Sequence, residues 1–116
     1  PSRDDAAPIA HDIWGQVSVA WNEHLGQFVL ASSSSFFAPR EIRLHLASAP
    51  WGPWGEPVAR ITVPERPGKT TTLIYCTYLH PELDEDGGRR MALTFCRMLE
   101  GSWELTTPEL MMVEWR

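Results

Sequence analysis

Glu41-Ile42-Arg43-Leu44-His45-Leu46-Ala47, followed by Pro50-Trp51-Gly52-Pro53-Trp54-Gly55, carries the strongest strand and turn signals in the chain. Ile42, Leu44 and Leu46 alternate with Arg43, His45 and Ala47, the clearest period-two pattern in the chain. Side chains two residues apart share a face of a strand, so one face of this segment is built for a core. The proline-rich turn after it fits neither a helix nor a central strand, because proline fixes φ and lacks an N–H.

Working outward, Val17–Trp21 and Gln27–Ala31 read as strands around turn residues Asn22–Gly26, a hairpin with a loop of about five residues. Ser32 to Ser35 with Phe36, Phe37 and Pro39 make a longer polar connection, and Pro57–Ile61 a short outer strand. The loop Val63–Lys69 ends this unit. A second unit follows: strand Leu73–Leu79, turn region His80–Arg90, return strand Met91–Met98, turn Gly101-Ser102 and last strand Leu110–Trp115. Residues Pro1 to Asp12 are polar and read as a lead-in loop. No amphipathic helix is evident.

The expected fold class is therefore all-β, about two antiparallel blades of a β-propeller, with residues 1–12 as lead-in, 13–68 as one blade and 69–116 as the final blade. Val17 and Leu73 are separated by the roughly 40–50 residues of a propeller blade plus a long loop. The two units share negligible sequence identity, so the repeat is structural. Propellers close with about 4–8 blades. Two alone would leave sheet faces and strand edges uncovered, so the chain reads as the C-terminal portion of a larger propeller whose remaining blades are its partners.

Composition sets the outer bounds. The 116 residues are 43% hydrophobic and 22% charged with six tryptophans, which places them among folded sequences. A net charge of −5 gives no basic footprint for nucleic acid. No basic stripe addresses an anionic membrane, and no apolar run approaches the roughly 20 residues needed to cross one. Cys76 and Cys96 flank the turn centred on Asp84–Gly88. A three-residue loop, Glu85 to Gly87, would make them face each other, whereas a two-residue turn at Asp86-Gly87 would not. A free thiol pair is preferred over a disulfide.

Three segments in order, Gly15-Gln16-Val17-Ser18-Val19-Ala20-Trp21-Asn22, Ala47-Ser48-Ala49-Pro50-Trp51-Gly52-Pro53-Trp54 and Tyr75-Cys76-Thr77-Tyr78-Leu79-His80-Pro81, resemble the last blades of the domain of unknown function 4185 family. That family is similar to five-bladed propeller glycoside hydrolases, some of which cut arabinose polymers. The resemblance spans Ile13 to Trp115 and implies a five-bladed propeller, an extracellular location and a polysaccharide ligand, arabinose-containing. It also implies that the main catalytic carboxylates lie on early blades, upstream of this chain. Gln16 stands where relatives are expected to carry an acid, and an amide cannot titrate.

On that blade geometry the strand starts and the second-to-third strand connection share the mouth of the propeller. Trp14, Gln16, Ser33 to Ser35, Arg40, Glu41, Lys69 and Tyr75 would rim a pocket there. The substrate-binding candidates are Trp14, Gln16, Arg40, Glu41 and Tyr75, with Trp14 stacking on a sugar ring and Arg40 donating to hydroxyls or a carboxylate. The bland alternative packs Trp14 between blades and pairs Arg40 with Glu41 in solvent.

Glycoside hydrolysis needs two carboxyl groups, about 5–5.5 Å or 6.5–9.5 Å apart. Most acids here fall in turns, and Asp84-Glu85-Asp86-Gly87 lacks calcium-loop spacing. The four histidines show no metal-ligand spacing, so no metal site and no cofactor is expected in the chain. The resemblance admits a cation on the axis of the full propeller, for which His80 is the candidate. The tryptophans of the Trp-Gly-Pro-Trp turn are expected to cover the outer edge of a blade. A rival function is a non-catalytic carbohydrate-binding or protein-interaction propeller. A weaker rival is a standalone β-sheet protein that oligomerises.

Overall fold

The structure, a computed structural model, describes residues 2, 4, 6–11, 13–33 and 35–116. Strands β1 (Trp14–Asn22), β2 (Gln27–Ser33), β3 (Glu41–Ala47) and β4 (Ala59–Thr62) form one antiparallel sheet in sequence order. Strands β5 (Thr71–Leu79), β6 (Arg90–Leu99) and β7 (Glu109–Glu114) form a second. The chain is all-β, and its two antiparallel meanders are compatible with two propeller blades that do not close into a ring.

The period-two reading of β3 explains how the sheets meet. Ile42 and Leu44, with Val29 and Ala31 on the same face of β2, are fully buried against Ile74, Leu79, Met91, Leu93 and Phe95 of the second sheet. Each such side chain contributes roughly 1.5–3 kcal/mol of burial free energy, the main force joining the sheets.

The two innermost strands advance in the same direction. The Tyr75 ring lies 3.6 Å from the point where a Cβ on Gly15 would sit, and Ser18 Oγ accepts the Leu79 N–H at 3.1 Å. Asn22 Nδ2 then donates to the Gly88 carbonyl at 2.8 Å. Contacts therefore step forward together along β1 and along β5 with the turn beyond it. Side-by-side first strands running parallel, each followed outward by antiparallel neighbours, is the relation between consecutive blades. Asn22 also accepts the Leu25 N–H at 2.9 Å, which folds the β1–β2 turn.

The β5–β6 connection is neither of the two tight turns expected from Asp84–Gly88. Short 3-10 turns at Pro81–Leu83 and Asp86–Gly88 fill it, Asp84 Oδ1 accepts the Ala92 N–H at 2.8 Å, and Glu85 bridges to Arg90. Tyr78 nevertheless faces Thr94 and Leu79 faces Leu93, the register in which Cys76 would face Cys96. A bulge between Tyr75 and Tyr78, with Cys76 at φ 55°, shifts the ladder so that Tyr75 faces Cys96 instead. Both cysteines are free. Burial, and secondarily the Cys76 thiol beside it, pushes the Cys96 thiol above its ordinary range and keeps it unreactive. The bulge turns Thr77 inward, where it is fully buried and bonds Ser33 Oγ at 2.7 Å.

At the end where β5 begins, Arg97 is 4% exposed in the middle of a charged cluster. Its Nε and Nη2 donate to the two Glu109 oxygens at 2.6 and 3.1 Å, and its Nη1 donates to Thr71 Oγ1 at 3.0 Å. Its guanidinium lies 5.4 Å from the Phe95 ring centre. Arg66 adds a second cation to Glu109 at 3.1 Å. A buried charge whose donors are used this fully is stable in place.

The outer face of the four-stranded sheet is also apolar. Val17, Val19 and Trp21 project from β1 and remain 41%, 39% and 45% exposed. Farther out, Leu30, Ala47 and Trp54 form a small buried cluster with Ala10, Ile13 and Phe28. The lead-in segment thus covers part of this face, and the Trp54 N–H donates to the Ile9 carbonyl at 3.3 Å. Trp54 packs over β2 and the end of β3 rather than over the outer edge strand, and Trp51 is 69% exposed. Among the described residues no helix is long and apolar enough to cross a membrane.

Candidate functional site

The register places the expected mouth residues at one end of the first sheet. Trp14 faces Ser33, Ser33 faces Ile42, and Ile42 faces Ile61. Arg40 and Glu41 sit at the entry to β3 on that same end. These residues do not line a single pocket, however; they divide between two clefts.

Trp14, Gly15, Ser33, Phe36, Leu73, Ile74 and Tyr75 line the first cleft, which encloses about 20 Å³ and is a shallow groove rather than a cavity. Gly15 builds it. Its φ of 67° allows the irregularity between Trp14 and Val17, and its missing side chain lets the Tyr75 ring approach the backbone. Trp14 meets Phe36 edge to face at 6.3 Å, and the two are 48% and 67% exposed. The result is an aromatic platform open to solvent at the start of the paired first strands. Gln16 is exposed on β1 and is not among the described residues lining either cleft.

Ala38, Pro39, Arg40, Glu41 and Thr62 line the second cleft, of about 140 Å³. Arg40 and Glu41 are each ion-paired, but not to one another. Arg40 Nη1 donates to the Val63 carbonyl at 3.0 Å and its Nε pairs with Glu65 at 3.1 Å. Glu41 Oε1 accepts from Arg43 Nε at 2.7 Å and from Arg60 Nη1 at 3.1 Å. The Arg43 hydrogen bond, reinforced by Arg60 and opposed by partial burial, holds the Glu41 carboxyl below its ordinary range. A carboxylate kept ionised in this way can fix charge or orient a hydroxyl, but it is unsuited to be a general acid, which needs a raised pKa. Lys69 lines neither cleft among the described residues; its backbone N–H closes a turn on the Arg66 carbonyl at 3.0 Å.

His80 has both ring nitrogens engaged, Nδ1 with Glu82 at 2.9 Å and Nε2 with Thr94 Oγ1 at 2.8 Å. The cation role admitted for it would have to displace those partners. No group of three or more His, Cys, Asp or Glu side chains among the described residues is placed to hold a metal ion.

One feature was not visible in the sequence. His45, on the polar side of its strand by alternation, is 2% exposed because the Trp54-Gly55 turn folds back over it. With His11, Arg43, Trp54, Gly55, Glu56, Pro57 and Arg60 it lines a pocket of about 240 Å³ on the outer face of the sheet. The sequence signal for it was the tryptophan turn lying one strand-length after a histidine.

Compared with known proteins, the chain matches no family model, no curated protein and no solved structure.

Proposed function

We propose that this chain is the C-terminal pair of blades of a glycosidase-like, five-bladed, extracellular propeller of the domain of unknown function 4185 kind, and that it binds polysaccharide, arabinose-containing, at the propeller mouth. The observation that carries this reading is the exposed aromatic pair Trp14 and Phe36, with the half-buried Tyr75 ring beside it, where the start of β1 meets β5. An exposed aromatic face held by a glycine-shaped backbone suits the apolar face of a sugar ring, and the nearby Arg40–Glu65 and Glu41–Arg43–Arg60 clusters supply polar rims.

Cutting is assigned to carboxylates outside these residues. Glu41 lies at the mouth end and is held ionised by two arginines, so among the described residues it does not supply a general acid there. The second reading, a binding or interaction propeller without catalysis, is favoured by that same ion pairing and uses the same surface.

Calorimetric titration with an arabino-oligosaccharide tests the proposal. Trp14→Ala removes the main apolar contact, worth roughly 1.5 kcal/mol, so binding should weaken about tenfold while the chain releases no reducing ends. Absence of binding by the unaltered chain, or equal binding by Trp14→Ala, would contradict it.

A further inference from the structure

We infer that the pocket beneath the Trp54-Gly55 turn is a second ligand site, built to receive a neutral, hydroxyl-rich molecule such as one sugar unit whose hydroxyl donates to His45 Nε2. His45 lies four residues along β3 from Glu41, about 13 Å at strand rise, and the pocket shares only Arg43 and Arg60 with the Glu41 cluster at the mouth.

His45 Nδ1 lies 2.8 Å from the Gly55 carbonyl, an atom that can only accept, so Nδ1 carries the proton. In the neutral ring Nε2 is then a bare lone pair. It is buried and has no hydrogen-bond partner, although the whole residue is 2% exposed. Leaving a buried acceptor unused is costly, and such groups are rare in folded proteins. His45 is among the residues lining a pocket of about 240 Å³, against roughly 30 Å³ for one water in the liquid, so the pocket has room for a small polar molecule.

The wall chemistry narrows the class. Arg43 and Arg60 are both engaged by Glu41, and Glu56 adds a further carboxylate at the rim. Among the described residues the arginine and glutamate charges around the pocket balance, which suits a neutral occupant. Arg60 remains nearly half exposed and reaches the pocket as a donor, the Glu56 carboxylate can accept, and Trp54 gives a buried apolar wall. An acceptor at the base, a donor and an acceptor on the sides and an aromatic wall match a ring with several hydroxyls. Ser32 Oγ, on the same face, is likewise buried without a partner, although it does not line the pocket.

The choice of sugar rests on the proposed polysaccharide function, whereas the pocket rests on its own geometry. Methyl α-L-arabinofuranoside is titrated into the isotopically labelled chain while side-chain NMR signals of His45 and Trp54 report the pocket and those of Trp14 and Tyr75 report the mouth. The His45 Nε2 resonance should begin as a lone-pair nitrogen and shift saturably with the sugar. His45→Phe should weaken that site about tenfold, the worth of one hydrogen bond. Arg60→Ala, on an exposed wall that does not challenge folding, should weaken it about threefold. Shifts at His45 without shifts at Trp14 would support the pocket and count against the mouth. Saturation at Trp14 with His45 unmoved, or no response to Arg60→Ala, would overturn the pocket, with bound water alone as its occupant.

Discussion

On the inner face of the four-stranded sheet, Val29, Ala31, Ile42 and Leu44 are sealed against the second sheet. On the outer face, Val17, Val19 and Trp21 stand 41%, 39% and 45% exposed beside His45 and Ser32, whose buried polar atoms lack partners. An antiparallel sheet with one solvated face ordinarily alternates apolar-in and polar-out. This one carries apolar side chains inward from β2 and β3 and outward from β1, and only the inward set is sealed. The second sheet repeats the pattern, with Tyr78 and Leu110 at 42% and 59% exposure on its far side. The difference teaches that one face of each sheet is packed as a finished interface while the other keeps apolar side chains in solvent, an arrangement compatible with propeller blades.

The sharpest way to break that comparison is to make matched truncations on the two faces. Leu44→Ala, on the inner face, should cost about 2–5 kcal/mol in denaturant unfolding, because it removes a fully buried side chain and leaves a cavity. Arg97→Ala should cost about 2 kcal/mol by the same measurement, since the charge-assisted bonds to Glu109 are lost while Arg66 still holds part of that carboxylate.

Glu41→Gln tests the mouth end and should cost under about 1 kcal/mol at pH 6, as expected for partly exposed ion pairs. The folded carboxyl is depressed below its ordinary value of 4.5, so its stabilising contribution is present above that value and is lost as pH falls through the folded one. The gap between wild type and Glu41→Gln should therefore close as unfolding is measured at progressively lower pH below 4.5. The smallest effect belongs to the outer face. Val19→Ser should change unfolding free energy by less than about 0.5 kcal/mol while reducing any self-association of the chain.

The strand pattern was largely legible. Alternation at Ile42, Leu44 and Leu46 located β3, whereas β2 runs on to Ser33 past the expected Ala31 and β4 begins at Ala59 rather than Pro57. The period of 2 survives in any half-buried strand, so local sequence carries it. The Cys76 bulge was not legible, because inserting one residue is decided by how Thr77 reaches Ser33 on the other sheet, a contact 44 positions away. Arg97 looked like a polar position on a return strand; its burial depends on Glu109 and Thr71 meeting it from two other strands. The candidate site was legible as an end of the sheet but not as a pocket. Trp14 and Tyr75 come together, whereas Arg40 and Glu41 find separate partners, Glu65 and the Arg43–Arg60 pair, that spacing along the chain does not reveal. His45 was hidden for a related reason: alternation gives the face a side chain occupies, not whether a later turn covers that face.

The central claim is that the two sheets are consecutive blades whose outer faces need neighbours. Light scattering together with thermal unfolding of the 116-residue chain tests it most directly. The account predicts self-association or a broad transition, relieved when further blades of the same propeller are supplied. A stable monomer with one sharp transition would contradict it.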